Sequence, residues 1–199
     1  MLVISRSRQE EDTNEDTNIA SQLAAKFNTV VLSVPFLYDF PADSALIERL
    51  RLLPEPAYFL VPLAGRAAKN LLTYLHIPYA EVFETRDSVQ IPKGDINGGQ
   101  VEWFEATPTP RWYPVIDHSK CNNCLECVNY CLFGVYSIDG DSRPFVDQPD
   151  ACRDGCPACA RVCPSQAIMF PLYEDRIIAG YSENTAGSLD NLIDLVDDI

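Results

Sequence analysis

The sequence predicts an α+β protein in which a small α/β domain with a parallel sheet precedes a C-terminal domain built from two similar halves. Three observations lead to this prediction. Apolar runs alternate with amphipathic stretches over residues 1–86, a pattern typical of parallel strands joined by helices. All eight cysteines lie between Cys121 and Cys163. Finally, the segments around the first four cysteines match those around the last four.

The N-terminal 86 residues carry separate signals for strands and helices. Short runs of apolar and β-branched residues predict strands at 2–4, 30–34, 58–63 and 79–83. Apolar residues at helical spacing predict helices at 19–27, at 65–76 and over a stretch that ends at Leu53. Asp43 or Ser44 is suited to cap this last helix, and Pro54 ends it. Because helices separate the strands, we expect the strands to run parallel.

The organisation changes after residue 86. Residues 87–111 are polar, contain glycines and end in alternating threonine and proline, which predicts a linker or hairpin followed by a stiff extended segment. Residues 112–180 form the predicted cysteine-bearing domain. Residues 181–199 contain five acidic residues, no basic one, and apolar residues at helical spacing after Ser188. This acidic amphipathic tail is predicted either to dock on a partner or to fold back on its own domain.

The cysteines form two runs with nearly equal spacing. The first run is Cys121-x2-Cys124-x2-Cys127-x3-Cys131, and the second is Cys152-x3-Cys156-x2-Cys159-x3-Cys163 followed by Pro164. A C-x2-C-x2-C-x3-C run that ends in proline is typical of a short backbone segment wrapped around a cubane iron–sulfur cluster. Two runs close to this pattern predict two clusters.

Zinc and disulfide bonds are the alternatives for so many cysteines. Structural zinc sites usually pair two C-x2-C segments across a longer spacer, whereas the first four thiols fall within eleven residues. A disulfide framework suits small secreted proteins, but the first eight residues contain no apolar core of an export signal. Both alternatives are therefore less favoured than clusters.

With these motifs, residues 112–172 resemble the bacterial two-cluster [4Fe-4S] ferredoxins. The two halves also match each other outside the cysteines, since 115–117 corresponds to 145–147 and 133–138 corresponds to 165–170. The resemblance implies a pseudo-twofold domain in which each half contains a strand, a cluster loop, a short helix and a second strand.

Two departures from the family pattern are visible. Leu132 stands where the family usually has a proline, so the backbone after the first run is less constrained. An additional residue widens the loop between Cys152 and Cys156, which alters the hydrogen bonding expected there. Neither departure removes a cysteine.

The resemblance implies two ligand sets, because in the two-cluster family the fourth cysteine of each run binds the other cluster. Cluster A would be bound by Cys121, Cys124, Cys127 and Cys163, and cluster B by Cys152, Cys156, Cys159 and Cys131. The implied function is electron transfer, by a carrier or an electron-transfer subunit of a redox complex, with no catalytic residue. The alternative is a redox enzyme whose N-terminal domain binds a small substrate and receives electrons from the clusters.

Composition restricts the partners. The formal net charge is −14, which argues against nucleic acid or an anionic membrane and suits a redox protein with a basic docking surface. No run of 18 apolar residues predicts a membrane span. Cluster-binding cysteines without an export signal favour the cytoplasm. The sequence predicts no oligomeric state.

Other candidate sites carry weaker signals. The segments 35–41 and 64–66 follow predicted strands, where parallel sheets bind ligands, but no glycine-rich nucleotide motif is present. The only histidines are His76 and His118, and we expect His118 to lie on the surface beside the first cysteine loop. Trp112 is predicted to anchor a strand edge or to shield a cluster.

Overall fold

The computed structural model describes residues 1–8, 10–84 and 99–181, without the side chains of residues 10–14. Five parallel strands form one sheet in the order β4-β3-β1-β2-β5. The strands are β1 (Leu2–Ser5), β2 (Val30–Val34), β3 (Ala57–Val61), β4 (Tyr79–Glu84) and β5 (Gln100–Trp103). The predicted parallel sheet is thereby confirmed.

Helices cover both faces of this sheet. They are α1 (Glu10–Lys26), α2 (Ala45–Arg51) and α3 (Gly65–Tyr74). Alternate side chains of β1 enter different cores: Leu2 and Ile4 pack with the apolar residues of α1, whereas Val3 packs with those of α2 and α3. Ser44 caps α2 by accepting a hydrogen bond from the Ile47 amide.

The fifth strand differs from the sequence prediction. Gln100–Trp103 pairs in parallel with β2 at the edge of the sheet, although it lies in the segment 87–111 that we expected to be a linker. Only Val101 in this strand is a half-buried apolar residue, and Trp103 remains 39% exposed. An edge strand of this kind lacks the buried apolar run that identifies an interior strand.

The cysteine-bearing region consists of short elements. They are β6 (Val115–Ile116), α4 (Glu126–Tyr130), β7 (Tyr136–Ile138), β8 (Pro144–Val146), α5 (Ala158–Val162), β9 (Ile168–Met169) and α6 (Arg176–Ala179). Strand β6 pairs antiparallel with β9, and β7 pairs antiparallel with β8. The order strand–helix–strand therefore occurs twice.

The two regions share a core and a buried ion pair. Tyr113, Val115 and Met169 pack into the apolar cluster that also contains the inner face of α3. At the start of α3, the Arg66 guanidinium lies 2.7 Å from the Asp117 carboxylate, and both side chains are less than 10% exposed. The cysteine loops are thus placed against the carboxyl edge of the parallel sheet.

Two predictions fall outside this description. Residues 87–98 of the proposed linker and the acidic tail after residue 181 lie outside the described residues. Among the residues that are described, no helix is long and apolar enough to cross a membrane. The domain boundaries drawn from the sequence stay a prediction.

Candidate metal centre

Asp117 fixes the beginning of the first cysteine loop. Its carboxylate accepts hydrogen bonds from the amide and the hydroxyl of Ser119, and its carbonyl accepts from the amides of Lys120 and Cys121. Burial acts to raise the pKa of Asp117, but the hydrogen bonds from Ser119 and the Arg66 guanidinium hold this pKa below its ordinary value. The loop is therefore attached, through one charged carboxylate, to the N-terminal helix α3.

Corresponding positions in the two loops adopt the same unusual backbone conformation. The residue before the second cysteine of each run is left-handed, with φ 57° at Asn123 and φ 70° at Gly155. The third residue after each run is also left-handed, with φ 68° at Gly134 and φ 51° at Gln166. The repeat visible in the sequence is therefore repeated in the backbone, and the wider second loop makes its turn at a glycine.

Four cysteines from both runs line one cavity. Cys121, Cys124 and Cys127 from the first run share it with Cys163 from the second. Apolar side chains that include Ile116 and Ile168 close the remaining wall. The chain thus brings together the four thiols that were predicted to bind cluster A.

The other four thiols are also near one another. Burial raises the pKa of Cys152 to about 12, and the charges of Cys159, Cys131 and Cys156 raise it further. Burial likewise raises the pKa of Cys159 to about 12, with Cys131 among the contributing charges. Cys131, from the first run, therefore lies within electrostatic reach of the second run.

Buried thiols hold their protons tightly in the absence of a metal. Burial raises the pKa of Cys127 to about 11, and the charges of Cys121, Cys163 and Cys124 add to it. Because thiolates rather than thiols bind metals, a metal bound by these cysteines would displace protons from them and would supply the positive charge that the buried sulfurs lack.

Two donors are aimed at cysteine sulfurs. The Ala167 amide donates to Cys163 Sγ at 3.3 Å, and the Tyr136 hydroxyl to Cys159 Sγ at 3.0 Å. Burial acts to raise the pKa of Cys163, but hydrogen bonds from Ser165 and Ala167 outweigh it and lower this pKa. Burial and the Cys159 charge raise the pKa of Tyr136, which keeps its hydroxyl a donor. Such bonds tune iron–sulfur sites; the spacing of the cysteines gives no sign of Tyr136.

None of the eight cysteines forms a disulfide bond. Across residues 1–8, 10–84 and 99–181, no group of three or more histidine, cysteine, aspartate or glutamate side chains is arranged to hold a single metal ion. The donors that are present suit a larger group, since four sulfurs are distributed around a cavity instead of converging on one point.

The weaker candidate sites are placed as follows. The start of α3 is occupied by the chain itself, because the Gly65 amide donates to the Glu84 carboxylate and Arg66 binds Asp117. Trp112 stacks on Phe170 with ring centroids 5.1 Å apart. The indole N–H of Trp112 donates to the Cys156 carbonyl at 3.3 Å. Trp112 thus lies against the second cysteine loop, whereas Trp103 lies in the edge strand.

A cleft of about 640 Å³ opens beside the second cysteine run. Its walls include Phe40 and Pro41, which follow β2, and Cys152 and Asp154 from the second loop. Arg111 crosses between the two sides, since it donates to the Phe40 carbonyl and pairs with Asp150. The carboxyl edge of the sheet and a cysteine of the second run therefore meet in one cleft.

Curated relatives match the chain over its C-terminal part. An uncharacterized ferredoxin of Methanocaldococcus jannaschii is 39% identical over 61 residues, which are 30% of this chain and 41% of that protein. A second uncharacterized ferredoxin of the same organism and a ferredoxin of Methanothermococcus thermolithotrophicus are each 44% identical over 55 residues, 27% of this chain. No protein-family model matches the chain. Because this chain spans 86% and 88% of the two shorter relatives, it belongs to the ferredoxin family.

Proposed function

We propose that this protein carries electrons through two [4Fe-4S] clusters, as a ferredoxin-like carrier or as an electron-transfer subunit of a redox complex. The ferredoxin relatives support an iron–sulfur electron carrier. The observation that carries the proposal is the cavity lined by Cys163 together with three cysteines of the first run. Only a ligand exchange between the two runs gives Cys163 a role there, and such an exchange is the pattern of two-cluster ferredoxins.

We propose the same exchange for the second cluster. Cluster A is bound by Cys121, Cys124, Cys127 and Cys163; cluster B is bound by Cys152, Cys156, Cys159 and Cys131. The proximity of Cys131 to Cys152 and Cys159 supports the second set. The matched left-handed residues of the two loops support a pseudo-twofold domain.

The protein supplies ligands, hydrogen bonds and shielding. A bound cluster of this type takes up and gives back single electrons. The Ala167 amide and the Tyr136 hydroxyl stabilise negative charge on the sulfurs they contact. Cys127 and Cys159 are less than 10% exposed, so water is kept from one side of each site. Trp112 and Phe170 cover the second loop.

The net charge of the chain and the thiolate ligands favour a type of partner and a compartment. A net charge of −14 favours a redox partner that presents a basic surface, with association that slows as salt increases. Clusters held by thiolates favour a reducing cytoplasm.

The direct test is metal analysis of protein purified without oxygen. We expect about eight iron and eight acid-labile sulfide atoms per chain, a brown colour, and an electron paramagnetic resonance signal that appears on reduction and disappears on reoxidation without added substrate. Zinc in place of iron, or iron for a single cluster, contradicts the proposal.

A pair of matched variants tests the ligand exchange. In Cys163→Ser we expect the cluster of the first run to be lost or converted, and in Cys131→Ser that of the second run. If each substitution affects the cluster of its own run instead, the exchange is wrong although clusters are present. Ser165→Ala, close to Cys163 but not a proposed ligand, is the control and should retain both clusters.

A second candidate function is favoured by one observation. The 640 Å³ cleft joins the carboxyl edge of the sheet to Cys152, so a small substrate held there would lie beside cluster B. This is the arrangement of a redox enzyme fed by its own clusters. Turnover of a small molecule by the dithionite-reduced protein, abolished by filling the cleft with Ser44→Trp, would favour it over the carrier.

A further inference from the structure

A second groove lies at the junction of the two regions, and its lining residues differ from those of the cleft at Cys152. It has a volume of about 480 Å³, within the usual range for small-molecule sites. Its walls come from α2, the end of α3, β6 and β8, and its apolar floor includes Ile116, Phe145 and Val146. The only two histidines of the chain, His76 and His118, both line it.

The polar side chains that line this groove are Arg51, Asn70, Thr73, Tyr74, His76 and His118. The Asn70 amide and the Thr73 hydroxyl donate to carbonyls of their own helix, so Arg51, Tyr74 and the two histidines are the donors left for a ligand. Burial raises the pKa of Tyr74, against an opposing effect of Arg111, so its hydroxyl keeps its proton. Among the described residues, no aspartate or glutamate lines the groove and none pairs with Arg51. In a chain of net charge −14, such a surface is unusual.

Hydrogen bonds occupy carbonyl groups at the C-terminal end of α3, the negative end of the helix dipole. The Leu72 carbonyl accepts from the Ile77 amide, and the Thr73 carbonyl accepts from the His76 amide. The Leu75 carbonyl accepts from Arg51 Nε at 2.7 Å. With these three carbonyls engaged, the helix terminus no longer repels an anion as an uncapped end would.

The backbone of His76, which lines the groove, has an unfavourable conformation. It occupies the position just after the end of α3 with φ 55°, and the two amide bonds above form a Schellman motif, in which this position is usually glycine. Left-handed backbone is unfavourable for a residue with a side chain. The end of α1 has the same motif, with φ 47° at Asn28, but Asn28 does not line the groove.

From these observations we infer that the junction groove binds a small organic anion, with a carboxylate held by Arg51 and the two histidines and an apolar body on Ile116, Phe145 and Val146. The nearest carboxylates acting on Tyr74 are Asp150 and Asp147. Asp150 is already paired with Arg111, and neither lines the groove.

Calorimetric titration of the full chain with 2-naphthoate tests this inference, with 2-naphthamide as the uncharged probe of the same shape. We expect one site per chain and affinity for the carboxylate at least tenfold above that for the amide. His118→Ala should weaken naphthoate binding about tenfold. No saturable binding, or equal binding of the two probes, would overturn the inference.

His76→Gly separates binding from folding. Glycine relieves the left-handed backbone, so the melting temperature should equal or exceed that of the wild type, while naphthoate affinity falls about tenfold. Asn28→Gly makes the same change at the end of α1 and should leave the affinity unchanged. Unaltered affinity in His76→Gly, or an equal loss in Asn28→Gly, would show that the groove is not the site.

A second measurement links the groove to the cysteines and rests on the proposed function. Ile116 lines both the groove and the cavity that holds four cysteines. An anion bound there should make the first cluster harder to reduce, so 2-naphthoate should lower its midpoint potential in the wild type but not in His118→Ala. Binding without such a shift would leave the groove as the anion site and contradict only the placement of cluster A beside it.

Discussion

The N-terminal sheet is stabilised by apolar side chains, whereas the cysteine region has few of its own. Ten of the twelve largest fully buried side chains lie before residue 84, and the other two are Tyr113 and Phe170. Strands β6 to β9 contain two or three residues each, and the apolar cluster around them includes cysteines from both runs. From this difference we expect the first region to fold on its apolar cores, and the second to depend on the groups proposed to bind its thiols.

Iron removal should therefore have the largest effect, and on one region only. We expect anaerobic chelation to lower the hydrogen-exchange protection factors of residues 117–168 by roughly 1000-fold or more, because cluster binding supplies folding free energy there. Amides of β1 and β3 should remain protected, since their cores contain no cysteine of the two runs except Cys152 at the margin. Equal loss in both regions would contradict the comparison.

The next largest effect is expected where the two regions are joined. Asp117→Asn leaves the nearly buried Arg66 without its counter-charge and should lower the free energy of unfolding by about 3–5 kcal/mol. Glu102→Gln removes an exposed partner from Arg49 and should cost less than about 1 kcal/mol. Urea unfolding of the cluster-loaded protein measures both; equal effects would mean that burial of the pair is unimportant.

The same carboxylate gives a pH dependence. The pKa of Asp117 is lower in the folded protein than its ordinary value, so the folded state prefers the ionised form. Its contribution is complete above the unfolded pKa of about 4 and disappears as the pH falls through the folded pKa. The stability difference between wild type and Asp117→Asn should therefore shrink below about pH 4. A difference that stays constant with pH would assign the effect to packing.

A smaller effect is expected from the aromatic pair at the junction. Tyr38 and Tyr113 stack with centroids 4.3 Å apart, and the Tyr38 hydroxyl donates to the Tyr113 carbonyl and accepts from its amide. Tyr38→Phe leaves these two buried backbone groups unsatisfied and should cost about 2 kcal/mol.

Two variants bracket that prediction. Tyr113→Phe removes only the bond to the Tyr38 carbonyl and should cost about 1 kcal/mol, and Tyr79→Phe, on the half-buried β4, less than about 0.5 kcal/mol. Denaturation midpoints at equal slope give the order. A cost for Tyr38→Phe no greater than that for Tyr79→Phe would mean that water satisfies the backbone groups.

Local signals were sufficient for much of the fold. Buried apolar runs predicted β1 to β4, and helical spacing located α2 and α3, although each ends a residue or two earlier than predicted. Helix α1 begins at Glu10, earlier than the predicted start at residue 19, and includes an acidic stretch without an apolar pattern. Spacing also identified the eight thiols that the fold brings into two neighbourhoods.

What the sequence did not predict depends on distant partners. Strand β5 is recognisable only from its pairing with β2, because an exposed edge needs no apolar pattern. The Arg66–Asp117 pair joins residues 51 positions apart, and Tyr136 reaches Cys159 across 23 positions. No local rule in a single sequence connects such residues, so the two cysteine runs were visible in the sequence while the groups that contact them were not.

The smallest predicted effect concerns the wider second loop. Gly155 precedes Cys156 in this wider loop with φ 70°, and no atom lies within 4 Å of the site that a Cβ would take. Gly155→Ala should therefore cost about 1 kcal/mol through backbone strain alone. Gly140→Ala, at an equally open site without a positive φ, should be neutral or slightly stabilising.

In cluster-loaded protein, these two glycine substitutions should differ in their effect on iron loss, because only Gly155 lies in a cysteine loop. If the left-handed turn is what fits three residues between two ligands, Gly155→Ala should speed the loss of iron to a chelator, and Asn123→Gly, at the corresponding position of the first loop, should slow it slightly. Identical iron-loss rates in Gly155→Ala and Gly140→Ala would show that the second loop adapts without this turn, and the wider spacing would then need another structural explanation.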